Sequence, residues 1–434
     1  MIRTIIAGSF LLMGFFVSAQ PVTEYWKNGK IRNVGEKIND KEEGAWIYYH
    51  SNGTKCAEGR FEAGNKVGEW TTWYENGTKQ SVYFPQTGSF TSWYPDGAIE
   101  SKGQFINYQK DSVWIFYHTN GKTGRICYYV NDLMEGNCTE YYFNGQKHFE
   151  GTYKSGEIQG FATWYYENGK VEMQGKSENG LQDSIWSFFY DNGMLGSQGK
   201  FTKGKQNGIW TYYYETGEKW KQGAYADGKR QGMWLCWYES GQKQREGQFV
   251  EDKEDGMWTQ WYISGKKQDE GSFCQGKMCK TWRGWYTTGI LKYEAEYNRN
   301  LKNGKYLYYW DNGKLRYSGN YVKENRQGSW ETFSQRGLLV EKGKYVNDKK
   351  SKEWTFYNER GRVVRKQSFQ NDIPHGKWAE YYPNGKKQNE GCYNLLVKTG
   401  VWASYDENGN ILYKVVYKNG EKSKILVDAK PKKK

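Results

Sequence analysis

Aromatic pairs, glycines and short polar runs follow one another along this chain with a fixed beat. The unit is clearest at 61–77, FEAGNKVGEWTTWYENG: an aromatic, a polar turn containing glycine, a Gly-x-Trp step, two adjacent aromatics and an Asn-Gly. The closing glycine recurs at 17 positions, from Gly29 through Gly53, Gly77 and Gly97 to Gly409. Fifteen of the sixteen intervals are 24 residues long, and one, Gly77 to Gly97, is 20. A fixed period of this length is the signature of a repeat architecture.

Each period predicts two short strands and two turns. The residue before the closing glycine is Asn in ten copies and Asp in one, Asp96. Asn-Gly is the strongest short-range hairpin signal, because a type I′ turn needs positive φ at both central residues. A longer or bulged turn is expected in the six other copies, among them Thr216, Ser240 and Arg336. The second turn, as in Gly64–Gly68, sets polar residues between two flexible points. The strands carry the rings. Of 16 positions in the column from Trp46 to Trp402, twelve are Trp, Phe90 and Tyr306 keep an aromatic, and Cys138 and Ala162 do not. If Phe61 pairs with Trp70 across the turn, alternation puts both on one face with Thr72 and Tyr74, and Trp73 on the other. Gly59, Gly151, Gly199 and Gly247 then leave room for a neighbouring ring to lie over the backbone. A helical reading fails, because no apolar 3.6-residue stripe survives a glycine every few residues. The expectation is an all-β fold: an elongated antiparallel β-hairpin array, solenoid-like, of about 17 units of 24 residues, with one shorter hairpin at the 20-residue copy.

The pattern resembles the MORN-repeat family, in the variant common in bacterial proteins, some catalogued as antitoxin-like. The matching residues are Tyr74-Glu75-Asn76-Gly77, Gly59-Arg60-Phe61 and Gly68-Glu69-Trp70, and the resemblance covers roughly Tyr25 to Tyr417. It implies a scaffold or binding surface, since such repeats serve in unrelated settings. Membrane-lipid contact is one role the resemblance brings with it, and toxin neutralisation is another.

The ends differ from the array. Met1–Ala19 reads as a secretory signal: Arg3 at the start, an apolar run over 5–17, and Val17-Ser18-Ala19 as a small-residue cleavage site before Gln20. The run is too short for a membrane span, which takes about 20 apolar residues. Residues 20–417 form the repeat array as one domain, with a polar first unit in which Lys37 replaces the usual ring. Residues 418–434, ending Lys430-Pro431-Lys432-Lys433-Lys434, read as a basic, disordered tail. Export leaves three destinations: periplasm, outer-membrane surface or medium.

Composition changes the picture in two places. The formal charge is +14, but Asp and Glu are interspersed among the lysines. Spread lysines protect a long sheet from edge-to-edge association, or they line a face for phosphate or carboxylate polymers. No specific nucleic-acid recognition is expected. The seven cysteines lie at different phases of the repeat. Cys127/Cys138 and Cys274/Cys279 each flank one turn and are placed to pair locally; the alternative is that they are small apolar fillers.

Catalysis finds no support. His50 and His118 occupy the second position of an aromatic doublet and look like packing substitutes, and no Cys-x-x-Cys or metal-ligand spacing occurs. Glu75, Glu167, Asp191 and Asp311 sit at hairpin tips, where bulk water leaves a carboxylate a poor general acid. No phosphate loop is spelled, and no cofactor is expected. What remains is the aromatic ladder of 21 Trp, 38 Tyr and 19 Phe. The Trp column reads first as core. The second-face rings Trp73, Trp93, Trp237, Trp261 and Trp285 lack an obvious internal partner and are candidate exposed binding residues. The functional expectation is a non-enzymatic exported scaffold that binds a protein partner in the cell envelope. The alternatives are a binder of anionic lipid or polysaccharide and a toxin-neutralising protein, and a regular surface of this kind also admits a homo-oligomer.

Overall fold

The structure, a computed structural model, describes residues 18–429. Residues 1–17 of the expected secretory signal and Lys430–Lys434 of the tail lie outside the described residues. Among the described residues there are 36 strands and no helix, so the chain is all-β. It divides into two compact units, one ending at Lys205 and one beginning at Gln206. Within each unit, successive strands pair antiparallel as hairpins, for example Lys55–Glu62 with Asn65–Trp73 and Lys243–Val250 with Lys253–Trp261.

The two turns exchange the roles that the sequence assigns them. The Asn-Gly turn is not type I′: only its glycine has positive φ, as at Gly77 (85°) and Gly217 (91°), and Asn76 stays on the ordinary side. Gly77 N–H bonds the Tyr74 carbonyl at 2.9 Å and Tyr74 N–H bonds the Thr78 carbonyl at 2.9 Å. This is a three-residue loop with a glycine bulge, and Thr216-Gly217 and Ser240-Gly241 close in the same way. Asn serves here through its side chain. Asn76 Oδ1 accepts the Thr78 N–H at 2.9 Å, while its Nδ2 donates to the Pro95 carbonyl in the next copy at 3.1 Å.

Type I′ geometry appears at the other turn, with φ of 51° and 61° at Asn39-Asp40 and of 50° and 83° at Ala63-Gly64. A left-handed residue follows four positions later, Gly68 at 63°. That bulge moves the register, so Phe61 faces Lys66 and Trp70 faces Tyr83 rather than Phe61 facing Trp70. The two rings still meet on one face, edge to face, with centroids 4.9 Å apart.

The core is the Trp column lying on glycine. A Cβ built on Gly59 would stand 2.2 Å from the Trp70 ring, and one on Gly247 2.0 Å from Trp258. Indole N–H groups fix these rings: Trp70 Nε1 donates to the Arg60 carbonyl at 3.2 Å and Trp258 Nε1 to the Gln248 carbonyl at 3.2 Å. In the second unit the rings run on as Trp234, Phe249, Trp258, Phe273 and Trp282, each edge-on to the next at 5.0–6.1 Å. Edge-to-face pairing satisfies the ring quadrupoles while burying their area.

Three local differences concern the ends and the short copy. The 20-residue copy has strands of 6 and 5 residues, Lys79–Phe84 and Ser89–Trp93, which is the shortened hairpin expected. Residues expected to be tail form one further strand, Glu421–Asp428, paired with Ile411–Lys418 about an Asn419-Gly420 turn. Alternation of Lys422 and Lys424 with Ile425 and Val427 extends the strand pattern past the last ring. Both expected cysteine pairs, Cys127–Cys138 and Cys274–Cys279, are disulfides, and Cys56, Cys236 and Cys392 are free.

Candidate functional site

The five rings expected to stand exposed do not. Trp73, Trp93, Trp237, Trp261 and Trp285 are all half-buried, because each is locked to the copy before it. The carbonyl of every one accepts a bond from the turn residue of that copy: His50 Nε2 at 2.9 Å for Trp73, and the hydroxyls of Tyr74, Tyr214, Tyr238 and Tyr262 at 2.8–2.9 Å for the others. His50 and His118, read from sequence as packing substitutes, therefore take over a hydrogen bond that tyrosine makes elsewhere.

Lysines cover four of these faces. Lys55 Nζ lies 4.9 Å from the Trp73 centroid, Lys79 5.5 Å from Trp93, Lys243 5.1 Å from Trp261 and Lys267 5.6 Å from Trp285. Three of the ammonium groups also bond a glutamate three residues on, Glu58, Glu246 and Glu270. At Tyr405, where the column holds Tyr, the glutamate takes the phenol as well: Tyr405 Oη donates to Glu390 at 2.6 Å, beside the Lys387–Glu390 pair at 2.6 Å. Those two bonds, the lysine's first, hold the Glu390 carboxyl below its ordinary range, and the bond to Glu390 pushes the Tyr405 phenol up to about 12.

One row of outward apolar groups lies one residue before the Trp column, on the same side as the five rings. In the first unit these are Val113, Phe161 and Ile185. In the second unit Ile209, Met233 and Met257 occupy three successive copies, 60%, 55% and 58% exposed. Half-buried Leu235 and Trp237 continue along the Met233 strand, and Trp261 along the Met257 strand. Sequence reasoning missed this row. Its signal was the apolar residue alternating with Trp, in Gly-Ile-Trp, Gly-Met-Trp and Gly-Met-Trp, which sends it to the side opposite the core. Among the described residues, no group of three His, Cys, Asp or Glu gathers as a metal site would require.

Successive antiparallel hairpins repeating one pattern define a β-repeat scaffold. Nine segments match the MORN repeat variant: residues 66–84, 86–107, 134–155, 160–179, 206–227, 230–251, 302–323, 374–395 and 398–419. The chain belongs to the MORN-repeat proteins. Solved structures to which the chain is similar include a TcdB2–TccC3 complex with Cdc42 and the Tc holotoxin pore of Photorhabdus luminescens. The first is 10% identical, with 92% of this chain and 28% of that chain covered and a TM-score of 0.14. The second is 12% identical, with 91% and 24% covered and a TM-score of 0.16. The chain thus spans about a quarter of the length of these proteins. No curated protein matches the chain.

Proposed function

We propose that this chain is a non-enzymatic, exported repeat scaffold that holds a protein partner in the cell envelope. The observation that carries the reading is the outward row Ile209, Met233 and Met257, on the face shared with Trp237 and Trp261. Exposed apolar side chains aligned over successive copies mark an interaction surface, and methionine adapts its shape to a partner. Half-buried tryptophans beside them supply rigid area of the kind that anchors interfaces. The disulfides Cys127–Cys138 and Cys274–Cys279 favour an oxidising destination, periplasm, outer-membrane surface or medium, over the cytoplasm in which an antitoxin would act.

The test is capture from a native envelope extract by the full chain and by the double variant Met233→Asp/Met257→Asp, washed at low and then high salt. A discrete protein retained through high salt by the parent chain, and reduced about tenfold or more by the variant, is the expected result. Equal retention by the variant, or release of only anionic lipid or polymer by salt, overturns the reading.

A further inference from the structure

On the opposite face, within the first unit, the row two residues after the column Trp opens into a trough. In seven of its 16 copies this row carries a ring, among them Tyr48, Phe116, Trp164 and Tyr308. Between Tyr48 and Phe116 it shrinks over five successive strands to Ala57, Thr72, Ser81, Ser92 and Ser101, which face one another across the ladder. Two cavities of about 550 and 530 Å³ result, sharing Thr72, Ser81, Phe90 and Phe105 in their linings.

The trough combines three kinds of group. Its floor is aromatic: Tyr83, Phe90 and Phe105, with Phe105 edge-on to Phe90 at 5.2 Å. Its wall is hydroxylic: Thr72 Oγ1 and Ser81 Oγ are 2.6 Å apart, Ser92 Oγ and Ser101 Oγ 2.7 Å, so each pair keeps one O–H to give. Its charged groups are Lys66, Nζ 4.2 Å above Trp70, Lys110, Nζ 5.1 Å above Trp114, and a single carboxylate, Glu100, in the lining of the second cavity. Neither lysine has an ion pair among the described residues. At the mouth stands Tyr108, 79% exposed and held at a φ of 63° that a bulky residue rarely adopts.

We propose that this trough binds an acidic glycan. Flat rings offer their faces to pyranose rings, hydroxyl pairs exchange hydrogen bonds with sugar hydroxyls, and two cations take carboxylates on sugars spaced along the chain. A purely apolar ligand leaves the hydroxyls and lysines unanswered. Four hydroxyls among the five groups of the small-residue row match sugar hydroxyls better than they match the side chains of a protein segment. Seven strands from Tyr48 to Phe116, at a strand spacing of about 4.8 Å, give a length near 29 Å, enough for several linked sugars.

The experiment titrates the full chain with a hexasaccharide alternating N-acetylglucosamine and glucuronate, and with neutral cellohexaose, following tryptophan fluorescence and heat. The parent chain is expected to bind the acidic hexamer saturably and cellohexaose about tenfold more weakly. Thr72→Tyr/Ser92→Phe installs residue types that the same row carries at Tyr48 and Phe116, so the array has room for them, and is expected to lose at least about tenfold in affinity with its melting temperature kept. Tyr108→Ala, at an exposed position where folding is not at risk, is expected to weaken binding severalfold. Absence of saturable binding, equal binding of cellohexaose, or undiminished affinity in both variants overturns the proposal.

Discussion

At the scale of single residues, glycine and tryptophan act as one unit. The indole of Trp258 rests where a Cβ of residue 247 would be, so a change at either residue is felt at the other. The chain shows this where the pair is broken. Cys127 and Cys138 stand in place of Gly and Trp and are joined as a disulfide. Ala295 stands with the smaller Tyr306, and Gln367 is buried while its Trp378 is only half-buried. Gly247→Ala is therefore expected to destabilise the second unit by about 1–3 kcal/mol, the usual cost of overpacking. Urea denaturation measures it, and the double change Gly247→Ala/Trp258→Tyr, copying Ala295 and Tyr306, should recover part of the loss. A loss below about 0.5 kcal/mol would show that the ring does not need the glycine.

At the scale of the hairpin, side chains that reach one copy ahead do the joining. Asn168 Nδ2 bonds the Asp191 carbonyl at 2.9 Å and Tyr166 Oη bonds the Phe189 carbonyl at 2.6 Å, each 23 residues on. The Lys387–Glu390–Tyr405 set adds a charge-assisted link whose pH dependence has a definite sign. The Glu390 carboxyl is held below its ordinary value of 4.5 in the fold, the Lys387 bond contributing first. A depressed carboxylate contributes stability above its unfolded value and loses it as pH falls through the folded one. The melting temperature of the parent chain should thus fall more steeply than that of Glu390→Gln between about pH 5 and pH 3. Because the site is largely open to water, the difference is expected to be small; parallel curves from calorimetry would remove the link from the account.

At the scale of the whole molecule, each copy touches its neighbours in sequence and little else, so damage should stay local. Trp330 is buried between Tyr321 and Tyr345, at 5.3 and 5.9 Å. Trp330→Ala is expected to cost about 3–5 kcal/mol locally. Hydrogen exchange should show lost protection across the strands Leu301–Tyr309 to Lys349–Tyr357 and none in the first unit. A uniform loss throughout the chain would contradict nearest-neighbour stability.

The sequence by itself determined the period, the all-β class and the ring column with its glycines; it placed both local cysteine pairs within reach but left open whether they close. These depend on residues close in the chain: a strand alternates every two residues, and a hairpin brings positions about ten apart together. Tertiary structure decided what depends on the neighbouring copy. Asn-Gly adopts the same bulged loop as Thr216-Gly217 and Ser240-Gly241, and what the next copy adds is a use for the Asn amide, as Asn76 reaches Pro95. Whether Trp73 and Trp261 are open turned on a lysine 18 residues earlier and a ring hydrogen bond 23 residues away. The trough turned on five small residues from five strands falling side by side, which register alone brings about.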